Sequence, residues 1–535
     1  MMPSHQDVVS HIDLKVDGSD LEERVWRQVL DVTVDQHVHL PGMFAIRLYD
    51  PELKLLDEGP FDLASKVTIA AKTADNQLCE LIRGEITALE PHFGDGMIAE
   101  LTVRGYDLSH HLYREPKSKT YVNVKDSDVA REIVRQTQLA AEIDDTETVY
   151  EHLYQHNESD LRFLRRRARR IGYDCYVAQG KLYFRKPLMQ EPQINVAWGA
   201  DLLSLEPRIA LSNQVRDVWV KGWDVQKKRP ILGRASEGAL YARIDEQDGK
   251  SWAQKLEVPG SVVTVDSPIT GQAEADLLAA ARLNELSAAF VQAEGTAFRR
   301  PDIQAGCAIY LDGVGKRLSG VYLVTRAVHH YSGAGLHTRF TVGRVPFGLL
   351  EELSGHEGQS VPQPGVAPAI VTNTDDPAGW GRVKVKYPWL SEQHESHWVR
   401  VAAAGGGPSC GLGAIPAVND EVMVAFQHGD FEHPVILGGL WNGEDAPPDE
   451  LLAAPTGEKP LVRTWRSRSG HHITFYDNAA NKIDIVTAGG LQISLDDAKG
   501  RIALRSSGTI SIEADGELKL KANTVNVDSP RINLG

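Results

Sequence analysis

Between residues 11 and 110 apolar and polar positions alternate in short runs. HIDLKVDG, VTVDQHVHLPGMFAIRLYD, KVTIAA, LIRGEITALEPH and MIAELTVRGYD each place every second side chain on one face, with glycine, proline or aspartate between the runs. That period belongs to half-buried strands and predicts a small antiparallel barrel or sandwich, a first platform β domain at 1–114. From about 115 to 205 the period becomes helical. DSDVAREIVRQTQLA gathers Val129, Ile133, Val134 and Leu139 on one face, with Asp126 or Ser127 as N-cap,. A second helix follows Ser159, with Leu161, Leu164, Ala168 and Ile171 at helical spacing and Gly172 as its stop,. These make an α/β insertion at 115–205. Strand patterns resume in VRDVWVKGWD and continue to HTRFTVGRV, with one helix in GQAEADLLAAARLNELSAAF. They define a second platform β domain at 206–350. Two β units flanking helical material read as an internally duplicated platform.

Residues 351–369 have the glycine, proline and polar content of a linker,. The strands that follow at 370–443 have the number and size of a small Greek-key barrel such as an OB-fold. A connector at 444–460 leads to a tail at 461–535.

In the tail Gly500, Gly508 and Gly516 recur every eight residues. Ile502, Ile510 and Leu518 keep that interval, as do Leu504, Ile512 and Leu520. Each octad therefore puts two apolar side chains at i and i+2 on one strand face. Two side chains per repeat do not make a core for one chain. Three chains wound about one axis bury every pair inside a triangular prism; a β-meander packed on the rest of the chain is the alternative. The needle core is accordingly assigned to Ile502, Leu504, Ile510, Ile512, Leu518 and Leu520. The phase drifts to seven residues between Val525-Val527 and Ile532-Leu534.

Composition changes this picture little. A formal net charge of −16 argues against nucleic-acid binding,. The N-terminus lacks a basic region followed by an apolar run, so no signal peptide is read, and no apolar stretch is long enough to span a bilayer. Cys79, Cys175, Cys307 and Cys410 are scattered without a CxxC pair, which fits manufacture in a reducing cytoplasm without a disulfide framework or structural zinc.

Candidate chemistry is sparse. Gly407-Pro408-Ser409-Cys410-Gly411 matches the G-x-S-x-G nucleophile elbow, but a strand-like, proline-containing segment follows in place of a helix, so the match is read as chance,. His110-His111, His329-His330, His471-His472 and His37-x-His39 have no cysteine or carboxylate at a ligand interval,. No catalytic residue, cofactor or metal site is therefore assigned. The run RFLRRRARR stands out in an acidic chain. Its Arg162, Arg165, Arg166 and Arg169 offer either a solvated helix face or a contact with an acidic partner.

The segments DPAGWGRVKVKYPWL, SHWVRVAAAGGG and DEVMVAFQHGDFEHPVILGGLWNG resemble the OB-fold of the VgrG spike family and of contractile-phage spikes. The matching positions are Asp376 to Val385, Trp398 to Val401, and Gly429 to Gly438 with Trp441-Asn442. NESDLRFLRRRARRIGYDCYV is similar to a segment of phage late control protein D and VgrG. EGTAFRRPDIQAG and SGVYLVTRAVHHY resemble the second platform domain of that family. The resemblance implies a mainly β fold with some helices: two β-barrel-like platform domains, an OB-fold, and a C-terminal triple-stranded intertwined β-helix formed by a homotrimer. It implies a central hub-and-spike protein of a contractile injection system, not an enzyme. Expected partners are inner tube and baseplate proteins, a PAAR-like tip protein seated on Val525, Val527, Ile532 and Leu534, and transiently a target-cell membrane. A trimeric receptor-binding tail fibre, or a spike with cell-wall hydrolase activity, is the alternative. The connector leaves no room for an inserted hydrolase, and the chain reads as a bare spike carried in an assembled particle.

Overall fold

In the computed structural model the described residues are 11–95, 98–187, 194–212, 214–237, 242–244, 249–256, 260–265, 268–269, 271–343, 365–388, 395–452 and 461–533. They fall into two compact units, 1–439 and 440–535. No helix among them is long and apolar enough to cross a membrane.

The first unit is organised by a 14-stranded sheet. Eight of its strands form one continuous path: β1 (Val29–His37), β2 (Met43–Tyr49), β3 (Leu78–Gly94), β4 (Ile98–Asp107), β5 (Leu202–Ile209), β6 (Val291–Phe298), β7 (Gly320–Ser332) and β8 (Gly335–Val342). Their spatial order is β5-β6-β8-β7-β1-β2-β4-β3. Each half thus follows the same order, first, second, fourth, third in chain sequence. The halves are a tandem repeat in one sheet, joined where β7 runs antiparallel to β1 from Arg326↔His37 to Ser332↔Asp31. Period-two burial explains the strands: Phe44, Ile46 and Leu48 of β2, and Leu336, Phe340 and Val342 of β8, point inward,.

The repeat extends to packing. Phe44 on β2 lies opposite Gly105 on β4, and Phe340 on β8 lies opposite Gly295 on β6. A Cβ at Gly105 would come 2.2 Å from the Phe44 ring, and one at Gly295 would come 2.4 Å from the Phe340 ring. In both halves a buried ring fills the space above a glycine on the next strand, with the two residues exchanged between strands.

The insertion pairs strand Val149–Ser159 with Pro116–Lys125 and adds α1 (Asp126–Val134) and α2 (Asp160–Arg170). Ser159 caps α2 by accepting the Arg162 N–H at 3.4 Å,. Gly172, with φ +72°, ends it,. Neither Asp126 nor Ser127 caps α1: both lie inside its first turn, and the cap is Lys125, whose N–H donates to the Asp128 carboxylate. The helix α3 (Gln272–Ala288) packs on the strands Asp217–Asp224 and Arg229–Ala235. A five-stranded OB sheet closes the unit, in the order 384–386, 366–373, 421–426, 434–439, 400–401. Val371, Val383, Val385, Val399, Val422, Val424 and Ile436 form its core.

The second unit begins its tail with five antiparallel strands: β9 (Val462–Arg466), β10 (His472–Tyr476), β11 (Lys482–Val486), β12 (Gln492–Asp496) and β13 (Arg501–Arg505). They form a meander within one chain. Ile502 and Leu504 belong to a strand paired in-chain, Ile502 with Leu495 and Leu504 with Ile493, as in the meander that the sequence offered as the alternative. The reason is loop length: β9 to β12 start ten residues apart, leaving five-residue hairpin loops that return the chain antiparallel. Beyond Arg505 the octads leave three-residue links, and no described residue from 506 to 533 is in a strand. Ile510, Ile512, Leu518, Leu520, Val525, Val527 and Ile532 lie there, all exposed; Leu534 is outside the described residues.

The Phe–Gly pairs give a direct check. Gly105→Ala and Gly295→Ala should each lower stability by about 1–3 kcal/mol, since the ring above must leave its rotamer. Denaturant melts should show the larger loss for Gly105→Ala, because a Cβ there would also come 2.2 Å from the Glu85 carbonyl oxygen.

Candidate functional site

Two surfaces are built with enough definition to act: the seam between the insertion and the OB-fold, and the apolar face of the tail. At the seam, α2 turns its arginines toward acids of the same chain. Arg167 is fully buried, with its Nε donating to Asp126 Oδ1 at 2.6 Å and its guanidinium 4.4 Å from the Tyr150 ring centroid. Burial opposes its charge, but Asp126 and Glu432 outweigh it and hold Arg167 well above the usual arginine range,. Arg166 donates to Glu158 at 2.7 Å, Arg169 to Glu285 at 2.6 Å and Arg170 to Glu274 at 2.6 Å. Arg162 and Arg165 also have partners. This corrects the reading of a partner-facing or solvated basic face: Arg166 and Arg169 are spent on ion pairs inside the chain, where α2 is enclosed by α1, α3 and the OB-fold.

The OB side of the seam is the hairpin Gly429–Gly438. Its Phe431 lies 4.7 Å from Tyr154, 4.6 Å from His156, 4.9 Å from Tyr387 and 4.5 Å from Phe426, centroid to centroid. The next residue, Glu432, lies 3.7 Å from both Arg166 and Arg167. Asp430 accepts the Glu432 N–H at 2.9 Å and faces His433 at 3.4 Å. Burial works against its charge, yet His433 and that N–H hold its carboxyl below the usual range. His152, beside His397 with ring centroids 6.1 Å apart, is pushed down to about 4, first by burial and then by His397. The OB motif has its own anchor: Asp376 accepts two bonds from the Arg382 guanidinium and N–H bonds from Ala378, Trp380 and Arg382, which together hold its carboxyl far below the usual range. Gly379 and Gly381, at φ +67° and +68°, supply the left-handed turns this loop needs,.

The tail has two unlike faces. Trp465, Ile473, Ile485, Ile493 and Leu504 form one column across β9–β13, and Phe475, Ile483, Leu495 and Ile502 a second on the same face. The opposite face is polar and internally bonded, with Thr464 Oγ1 and Thr474 Oγ1 2.8 Å apart and Ser494 donating to Asp484 at 2.6 Å. The six needle-core residues are between 50% exposed at Leu504 and 74% at Ile502 and Leu520. Among the described residues, seven of the nine column side chains are exposed, and Ile473 and Ile483 are half-buried.

The remaining motifs fall elsewhere. Gly407–Gly411 is an exposed turn closed by a Gly407↔Cys410 bridge. His110 and His111 gain a neighbour that spacing did not show, the Glu85 carboxylate from β3.

A family model described as the Alg8 N-terminal domain matches residues 5–333, and one described as the type VI secretion system/phage-baseplate injector OB domain matches 367–441. The type VI secretion system spike protein VgrG3 of Vibrio cholerae is 34% identical over 107 residues, and VgrG1a of Pseudomonas aeruginosa is 40% identical over 81 residues. The chain belongs to the family of the Alg8 N-terminal domain model, and its OB segment is similar to the VgrG spike proteins. The matches to these VgrG proteins span 19% and 14% of this chain and only 10% and 13% of the relatives. The fold has wider likeness. The E. coli c3393 protein, described as a type VI secretion component with structural similarity to the T4 bacteriophage tail proteins gp27 and gp5, aligns at TM-score 0.51 and 16% identity, over 80% of this chain and 99% of that one. A chain of the Francisella PdpA-VgrG complex aligns at TM-score 0.52 and 9% identity, over 94% and 81%. The VgrG-type fold is thus mainly β with an OB domain.

Two outcomes test the seam. Asp126→Ala strands the buried Arg167 charge and should cost about 3–5 kcal/mol in a denaturant melt, whereas Glu23→Ala, which removes an exposed pair with Arg27, should change it little. Acid sensitivity is the second. A histidine whose folded pKa sits near 4, against an ordinary 6.5, takes up its proton in the unfolded chain first, so stability falls as pH drops from 6.5 to 4 and levels below. His152→Phe should flatten that slope, measured by melts across the range.

Proposed function

We propose that the chain is the trimeric, non-enzymatic hub-and-spike subunit of a contractile injection machine, joining a sixfold inner tube and baseplate to a membrane-piercing needle. The observation that carries this reading is the uncovered apolar face of the tail. Three copies of β9–β13 placed face to face bury both apolar columns. The extended octads beyond Arg505 then wind with their counterparts, and Ile510, Ile512, Leu518 and Leu520 become the needle core. Burying the seven exposed aliphatic side chains beyond Arg505 would contribute on the order of 10 kcal/mol per chain. Closed threefold association is the simplest symmetry that covers every face.

The tandem order of the large sheet supports the platform role. Two like halves per chain make six like units in a trimer, which matches a threefold spike to a sixfold tube. The OB-fold gathers the chains at the axis. Val525, Val527 and Ile532, with Leu534, seat a PAAR-like tip protein. In this reading stiffness is the activity: interwound strands share load among many backbone hydrogen bonds and a dry core.

Light scattering tests the trimer. The full chain should weigh three times its 58.9 kDa, about 177 kDa. A version truncated before residue 461, and the double variant Ile510→Asp/Leu518→Asp, should dissociate or weaken. A stable full-length monomer would sink the reading.

A further inference from the structure

We infer that Glu85, His110 and His111 form a three-ligand site for a divalent transition ion of the zinc class, clipping β3 to the turn that follows β4. The strand register brings the residues together: Glu85 pairs with Tyr106, and the short helix His110–Tyr113 begins just past the end of β4. His111 Nε2 lies 2.9 Å and His110 Nε2 3.6 Å from Glu85 Oε2, and the three ligand atoms all lie within 4.8 Å of one another. Ligand atoms about 2.0–2.1 Å from a tetrahedral ion sit about 3.3 Å apart, so these separations bracket the expected value.

The tautomer is set correctly. His110 Nδ1 lies 2.8 Å from the Asp107 carbonyl oxygen, which can only accept, so Nδ1 carries the proton and Nε2 presents a bare lone pair to the site. A ligand imidazole held by a backbone carbonyl is the usual outer support of a metal centre. The turn itself is held fast. The Asp107 carboxylate accepts N–H bonds from Gly42 at 2.8 Å and Ser109 at 2.9 Å. On the other side, the backbone before Glu85 approaches so closely that a Cβ at Gly84 would sit 2.1 Å from the Tyr106 carbonyl oxygen. Glu85 and His110 are mostly buried, at 18% and 14% side-chain exposure, while His111 is 46% exposed. The donor set of two imidazoles and a carboxylate suits zinc, cobalt or nickel and is poor for calcium or magnesium, which take mostly oxygen ligands. The exposed side leaves a fourth position for water or a group from outside.

The test uses the full chain, stripped with a chelator and titrated with Zn2+ by calorimetry and with Co2+ by visible absorption. One ion per chain, a cobalt spectrum of tetrahedral type, and a rise in melting temperature reversed by chelator are expected. Glu85→Gln, His110→Ala and His111→Ala should each lower zinc affinity at least tenfold, whereas His92→Ala, an exposed histidine on β3, should not. The zinc-free melting temperature of each variant separates lost binding from lost folding, and His111→Ala, the most exposed ligand, is the variant expected to keep it. Absence of saturable binding, or binding that the folded His111→Ala variant retains in full, would overturn the site and leave Glu85 and His111 as an ion pair only.

Discussion

Trp465, Phe475, Ile485, Ile493, Leu495, Ile502 and Leu504 share one face of the tail strands, and among the described residues of one chain that face is largely exposed. The constraint follows from the two-residue period of a strand: with i and i+2 apolar, the residues between them must point the other way. That other face is polar yet buried, with Thr474, Asp484, Ser494 and Asp496 all enclosed. Thr464, Thr474, Asp484 and Ser494 line up across the strands and bond to each other, with Lys482 donating to Asp484 at 2.7 Å. Such a ladder satisfies the buried polar groups within the chain, and the apolar face is the exposed one,. The proposed threefold assembly answers that geometry without altering any strand.

The first unit meets a related constraint in another way. A run of arginines would repel itself on one helix, yet α2 is stable because its cations are divided among Asp126, Glu158, Glu274, Glu285 and Glu432, which come from four separate stretches of chain. Ion pairs of this kind add little net stability over apolar packing. What they add is a specific seat. The OB hairpin fits with Phe431 among four rings and Glu432 against two guanidinium groups, and a shifted hairpin would leave buried charge unmatched.

Much of this was legible from sequence where periodicity is local. The strands of the platform, the helices of the insertion, the OB-fold segments and the unshielded octads all follow from spacing. The partners of α2 do not, because a run such as RFLRRRARR has the same pattern whether it faces water, another protein or acids a hundred residues away. Asp126 shows the limit well: by residue type it is a good N-cap, but the fold needs its carboxylate for Arg167. In the tail the same i, i+2 pairs serve both a meander and an intertwined needle. The readable difference was the change of repeat from ten residues to eight near Gly500. The Glu85 neighbour of His110 was hidden because a strand register, not a spacing, supplies it.

The exchanged Phe–Gly pairs bear on what a duplicated platform has to keep. In the first half the ring comes from β2 and the glycine from β4; in the second the glycine comes from β6 and the ring from β8, although β2 corresponds to β6 and β4 to β8 in the repeated strand order. The side chains at equivalent positions therefore differ, while the volume filled between the strands is the same. Either arrangement lets two backbones pass at ladder distance with a ring closed over the gap. The feature shared by the halves is thus the position of the backbone. For the proposed role this is the property that matters, because a sixfold tube meets six like sheet surfaces when backbone geometry repeats, even where sequence does not.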